Sequence, residues 1–184
     1  QGSDRLIFAR PDQPEWGFSP EVSDDGRWLV ITAWKGTNPE TAVFVQDLKA
    51  RGARPRPLLD RMDAAYEVVD NRGDTFLVRT DKEAPRHRLV AIRLGRPAPA
   101  DWKEVIPQAP GRDVLEQVTL VGGRLFALWR RDVRSAVEVY DLEGRRTGEV
   151  ALPDLGSASG FHGRADDRET FYLFTGFTSP PAIY

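Results

Sequence analysis

"VFVQDL" occupies residues 43–48, and similar strings return twice, as "LVAIRL" at 89–94 and "VEVYDL" at 137–142. Their closing leucines, Leu48, Leu94 and Leu142, stand about 46–48 residues apart. A second series lies upstream of each: "VSDDGRWLVI" (22–31), "VVDNRGDTFLV" (68–78) and "VTLVGGRLFAL" (118–128). A third follows each: "RPLLD" (56–60), "KEVIP" (103–107) and "GEVALP" (148–153). The runs alternate apolar and polar residues and are rich in Val, Ile, Phe, Trp and Thr. That pattern belongs to strands with one face buried. No window shows a helical period, and 14 prolines and 16 glycines leave little room for long helices.

Each unit therefore reads strand, tight turn, strand, loop, strand, loop, strand. Gly26, Gly73 and Gly123 fall in the first turn of successive units. A short hairpin turn needs a positive φ, which glycine adopts at little steric cost. Four antiparallel strands in roughly 45–50 residues is the period of a β-propeller blade. The sequence thus predicts an all-β propeller domain over residues 1–184. Blade-like repeats fall at about 18–60, 66–107 and 114–153. "RLIFAR" (5–10) reads as a lone outer strand, and residues 158–184 as the first two or three strands of a further blade. These two ends belong to flanking blades, which makes about four blade-equivalents.

Charge and composition remove several function classes. With 26 Lys and Arg against 28 Asp and Glu, the net charge is −2, which predicts no affinity for nucleic acid or anionic membrane. No apolar run approaches the ~20 residues of a membrane span. The absence of cysteine excludes disulfides, Cys nucleophiles and thiolate metal sites. It leaves the compartment open between cytoplasm and periplasm, with a lean to the cytoplasm.

Longer strings resemble the propeller domain of the prolyl oligopeptidase family. They are "PDQPEWGFSPEVSDDGRWLVI" (11–31), "DWKEVIPQAPGRDVLEQV" (101–118) and two motif-bearing stretches. In the first, Thr80-Asp81, Ala84-Pro85 and His87-Arg88-Leu89 match the family's T-(N/D)-x-x-(A/S)-P-x-(Y/H)-R-L string. In the second, Phe171-Tyr172, Phe174-Thr175, Phe177 and Ser179-Pro180 match F-Y-x-F-T-x-F-x-(S/T)-P. The likeness is collinear over nearly the whole chain. It implies the middle and later blades of a seven-bladed propeller that caps an α/β-hydrolase domain with a Ser-Asp-His triad. In such a parent peptidase the propeller admits short peptides, which are cut after proline. The chain itself is then a non-catalytic fragment whose partners are the hydrolase domain and, in the parent, short peptides. The alternative is a free-standing propeller that binds a protein or peptide. The resemblance also places Gln46, in the third-strand motif before Asp-Leu, at the edge of the parent's substrate pocket.

The catalytic look-alikes fail on spacing. A nucleophile elbow needs Gly-x-Ser-x-Gly between a strand and a helix. "GSASG" (156–160) puts Ala158 in the middle, with Ser157 and Ser159 off by one each way. The stretch is expected to be a tight crossing between blades. His162 lies near Asp166 and Asp167, which suit a hairpin, and His87 reads as a partly packed ring. Two separated histidines make no zinc site. "SDDG" (23–26) has one Asp pair where calcium loops space several oxygens, so it reads as a turn. "VGG" (121–123) is likewise a turn and no phosphate loop. Neither a cofactor nor a metal is expected. Trp28, Trp34 and Trp129 suit core packing, and Trp16 and Trp102 suit exposed contacts. An open array of blades exposes apolar faces. The expectation is closure as a four-blade ring, with residues 5–10 completing the last blade, or a homodimer through those faces.

Overall fold

A computed structural model describes residues 4–184; Gln1, Gly2 and Ser3, where the expected domain begins, lie outside the described residues. The chain divides into two compact units, Gln1–Tyr66 and Glu67–Tyr184.

The first unit holds one sheet of β1 (Trp16–Val22), β2 (Trp28–Lys35), β3 (Thr41–Asp47) and β4 (Arg56–Leu59), ordered as in the sequence. The β1–β2 turn is the predicted one. Gly26 has φ +65°, and the Asp25 carboxylate accepts bonds from the Ser23 hydroxyl (2.7 Å) and the Arg27 amide (2.9 Å). One face of this sheet buries Ile31, Ala33, Ala42 and Phe44. Residues 5–10 cross that face and form no strand, contrary to expectation. A strand needs a free edge, whereas this segment is fixed by side chains. The Phe8 ring packs edge-on to Phe18 (5.3 Å between centroids) and tilted on Phe44 (4.8 Å). The Arg10 guanidinium lies 4.8 Å over the Trp16 ring.

The second unit carries three sheets. Sheet two is β5 (Tyr66–Arg72), β6 (Thr75–Thr80), β7 (Arg88–Arg93) and β8 (Lys103–Ile106), in that order. Sheet three is β9 (Val114–Val121), β10 (Arg124–Arg131), β11 (Arg134–Tyr140) and β12 (Arg146–Val150). Sheet four is β13 (Gly156–His162), β14 (Phe171–Gly176) and the short β15 (Ala182–Ile183). From β6 to β8, β9 to β12 and β13 to β15 neighbouring strands run antiparallel, and Gly73 and Gly123 both take the positive φ their turns require (+61° and +71°).

Sheets two and three share one core. Leu77, Leu89 and Ile106 of the former meet Leu115, Leu125 and Trp129 of the latter. The link Asp81–His87 reinforces this seam. The Arg86 amide donates to Gln108 Oε1 (2.8 Å), and the Arg86 carbonyl accepts from the Leu115 amide (3.0 Å). Arg79 bonds Glu67 twice and also the Leu115 carbonyl (3.1 Å), joining β5, β6 and β9. The string that carries the family resemblance thus has a mechanical content: its polar groups close one sheet against the next.

Sheets three and four share a second core of Leu128, Val137, Ala158, Phe161 and Phe174. "GSASGFH" is itself strand β13, which corrects the expected crossing. The crossing is the preceding segment, residues 151–155. The small residues serve the strand: a Cβ on Gly156 would sit 2.2 Å from the Thr175 carbonyl oxygen. Ladder pairing passes from Gly160–Tyr172 to His162–Phe171, so Phe161 is an extra, bulged residue. Its φ is +61°, a left-handed conformation uncommon for a bulky residue.

Candidate functional site

Gln46 lies on β3 opposite Leu29, on the same face as Phe44. It is 8 % exposed. Its Nε2 donates to the Ala53 carbonyl (2.9 Å), which ties the strand to the β3–β4 loop. Its Oε1 is buried and accepts no bond. Gln46 borders a depression of about 430 Å³ together with residues 5–7 and 52–55. The repeats give this position a baseline. Aligned by their closing leucines, Ile92 (0 % exposed) and Tyr140 (8 %) stand where Gln46 stands. A glutamine therefore occupies a position that elsewhere buries an apolar or aromatic side chain, with one polar atom left unpaired.

A second polar cluster was not found from sequence. Glu138 and Tyr140 are two residues apart on β11 and so share a face. The Tyr140 hydroxyl donates a short bond to Glu138 Oε2, and Arg131 donates to Glu138 Oε1 at 2.6 Å. Arg131 also reaches Asp113 (2.7 Å), and Arg146 approaches Glu138 at 3.3 Å. Burial opposes the Glu138 charge, but the bonds from Tyr140 and Arg131 and the two nearby guanidiniums outweigh it. Its carboxyl is held below the usual glutamate range. Burial, then the Glu138 bond, pushes the Tyr140 phenol upward. The cluster links the β9 entrance, β10, β11 and β12, and is a clamp within one sheet. The available signal was a glutamate inside the alternating run "AVEVYDL", which demands a partner if buried.

The remaining candidates are dispersed. Ser157 faces Thr175, and Ser159 faces Leu173, across the β13–β14 ladder, in a strand that does not lead into a helix. His87 precedes β7 with φ +63° and a buried, unpartnered Nδ1. Burial, then the Arg79 charge, lowers its pKa. Asp167 accepts the Arg164 amide (2.7 Å) in the β13–β14 loop. Among the described residues no three His, Asp or Glu side chains converge to hold a metal, and no helix is long and apolar enough to cross a membrane. Trp28 and Trp129 are core (1 % and 3 % exposed), but Trp34 is 42 % exposed. It sits at the strand end, with its ring over Gly17, where a Cβ would lie 2.2 Å from the indole. Trp16 and Trp102 are half-buried rather than exposed. Arg10 covers the first, and the second donates its Nε1–H to the Pro97 carbonyl (2.9 Å).

Three consecutive four-stranded antiparallel sheets, each begun by a glycine-turn hairpin, and a fourth of three strands, with shared apolar cores joining sheets two to three and three to four, define the protein as a β-propeller domain. A family model described as "Prolyl oligopeptidase, N-terminal beta-propeller domain" matches residues 1–184. The chain belongs to that family. It is 34 % identical to the prolyl endopeptidase of Elizabethkingia miricola over 186 residues, covering 100 % of this chain and 25 % of the relative. Prolyl oligopeptidase A of Galerina marginata is 28 % identical over 188 residues, again 100 % of this chain and 25 % of the relative. One solved structure, from work on two prolyl endopeptidases and the role of inter-domain dynamics in catalysis and specificity, superposes with a TM-score of 0.90. It is 36 % identical, over 100 % of this chain and 27 % of that one. The chain spans about a quarter of the length of the curated relatives it matches.

Proposed function

We propose that this chain is the access-controlling part of a proline-specific serine peptidase and performs no catalysis itself. Within that peptidase its blades stand over the hydrolase domain, admit short proline-containing peptides and exclude folded proteins. The observation that carries the reading is coverage: the whole chain aligns with a quarter of prolyl endopeptidases and superposes on one at a TM-score of 0.90. The geometry of its own residues agrees, since Ser157, Ser159 and His162 are spaced along the single strand β13 while His87 lies in the link before β7. Gln46, at its depression, is the residue we assign to the edge of the parent's substrate pocket.

Sheet four supports the same reading. Phe171 (62 % exposed), Leu173 (43 %) and Ile183 (74 %) form an apolar strip on its outer face. Such a strip is built to be covered. In the peptidase the rest of the propeller would cover it; in the isolated chain a second copy would.

The test is a comparison of the purified chain with the parent peptidase on a fluorogenic proline peptide. The chain should show no turnover. The parent should cleave the peptide and spare a folded protein that contains exposed prolines. Serine-dependent cleavage by the chain, or equal cleavage of both substrates by the parent, would overturn the proposal.

A further inference from the structure

The link Asp81–His87, between β6 and β7, is irregular in two independent ways. Glu83 and His87 both hold positive φ (+54° and +63°), a conformation uncommon away from glycine. Three consecutive residues at its end also bury a side-chain nitrogen that has no partner among the described residues: Arg86 Nε, His87 Nδ1 and Arg88 Nε. Strained backbone and orphaned polar groups persist only where surrounding contacts over-determine them, and they gather at switch segments.

The contacts that hold this link all reach the segment between β8 and β9. The Arg86 amide donates to Gln108 Oε1 (2.8 Å), and Arg86 Nη2 donates to the Ala109 carbonyl (3.1 Å). The Arg86 carbonyl accepts from the Leu115 amide (3.0 Å), and Arg79 Nη1 donates to the Leu115 carbonyl (3.1 Å). His87 is the next residue, and its own amide closes the link's turn on the Ala84 carbonyl (2.7 Å).

The ring of His87 is built to stay neutral. An imidazolium carries a proton on both nitrogens. At Nδ1 that N–H would be buried with no acceptor. The charge would also stand beside the Arg79 guanidinium of β6, which with burial outweighs the pull of Asp81 in the link and Glu67 on β5. The other nearby charges are already engaged: Arg88 with Glu104 at 3.3 Å, and Asp113 with Arg131 at 2.7 Å. Once the link swings away, the ring meets water and takes its proton near pH 6.5, the ordinary histidine value. Acid therefore favours the open link.

We propose that the Asp81–His87 link is an acid-released latch: a proton on His87 frees the link from residues 108–115 and loosens the seam between sheets two and three. The device belongs to the chain itself and does not depend on the peptidase assignment.

The experiment is hydrogen exchange of the 184-residue chain, followed by NMR at pH 7.5 and pH 5.5 in low urea and corrected for intrinsic exchange rates. The Arg86 and Leu115 amides should exchange through a local opening that urea leaves unchanged. Their protection should fall several-fold at pH 5.5, up to about tenfold one pH unit below the ordinary histidine value. The fall should follow the titration of the His87 ring signal, with His162, the other histidine, as the internal reference. His87→Asn should abolish it. His87→Gly, which adopts positive φ freely, serves as a second variant and should do the same. Four results would each overturn the latch: protection that does not change with pH, exchange of Arg86 and Leu115 only through urea-sensitive global unfolding, a midpoint away from that of His87, or an equal fall in the variants.

Discussion

The ring of Phe161 lies nearly parallel to that of Tyr172, with centroids 4.9 Å apart and planes 9° from coincidence. On its other side Phe126 stacks at 5.6 Å, and Tyr172 in turn stacks on Tyr184 at 5.4 Å. The left-handed backbone of Phe161 is what delivers its ring into this column. Strain of about 1–2 kcal/mol is held in place by a side chain only 3 % exposed. Phe161→Ala should lose about 3–5 kcal/mol, since alanine keeps the strained φ and forfeits the stack. Phe161→Gly should cost no more than Phe161→Ala, reversing glycine's usual disadvantage. Urea unfolding of the two variants checks the order.

Gly122 and Gly123 are adjacent turn residues with positive φ (+58° and +71°), yet they differ in surroundings. The Gly122 amide donates to the Arg164 carbonyl (3.2 Å), and a Cβ there would lie 2.6 Å from the Asp167 carbonyl oxygen. Nothing lies within 4 Å of a Cβ on Gly123. Gly123→Ala should therefore cost about 1 kcal/mol of backbone strain. Gly122→Ala adds a backbone clash between the sheet-three hairpin and the β13–β14 loop, and should cost at least twice as much. Thermal melts of both variants, run side by side, test the difference.

Tyr140 and Glu138 form one polar unit with Arg131, so their substitutions should not add. Tyr140→Phe and Glu138→Gln should each cost about 1–3 kcal/mol. The double variant should cost less than the sum by about 1 kcal/mol or more. Because the Glu138 carboxyl is held below its ordinary range, its stabilising contribution is complete above about pH 4.5. It is lost as pH falls through the depressed folded value. Glu138→Gln should flatten the acid limb of the stability profile, which urea midpoints between pH 3 and pH 6 would record.

His87 sets the pH response nearer neutrality. Its folded pKa is depressed by burial and by Arg79, so the unfolded chain binds the proton first as pH falls. Stability should fall as pH drops below about 6.5, the ordinary histidine value. The affected element is the link that joins sheets two and three through Arg86 and Leu115. Asn tolerates positive φ, so His87→Asn keeps the backbone and removes the titration. Its unfolding midpoint should change less between pH 7.5 and pH 5.5 than that of the unsubstituted chain. Equal changes would exclude His87 as the source.

Much of the blade pattern was legible because it is periodic. Alternation revealed strands, and Gly26, Gly73 and Gly123 marked the turns, since both signals are local. Misreadings arose where a residue's neighbours come from elsewhere in the chain. "RLIFAR" has strand-like alternation, but Phe8 and Arg10 are claimed by the aromatic face of Phe18, Phe44 and Trp16. Trp34 keeps the phase of a core residue yet stands past the packed part of β2. "GSASGFH" looked like a crossing because small residues suit both a turn and a strand pressed against another backbone. Gln46 was singled out, but not as a buried amide with one orphaned oxygen.

Repeat length, strand class, turn chemistry and family can all be read along the chain, because each is written in the order of neighbouring residues. Which polar groups meet is settled by packing. Arg131 reaches Asp113 and Glu138 across three strands, Arg86 reaches Gln108 and Leu115 between sheets, and Arg5 comes beside Arg54 and Gln46 by crossing a sheet face. Spacing along a chain cannot carry that information. Pairing energy depends on distance and burial, and both are set only when separate segments pack.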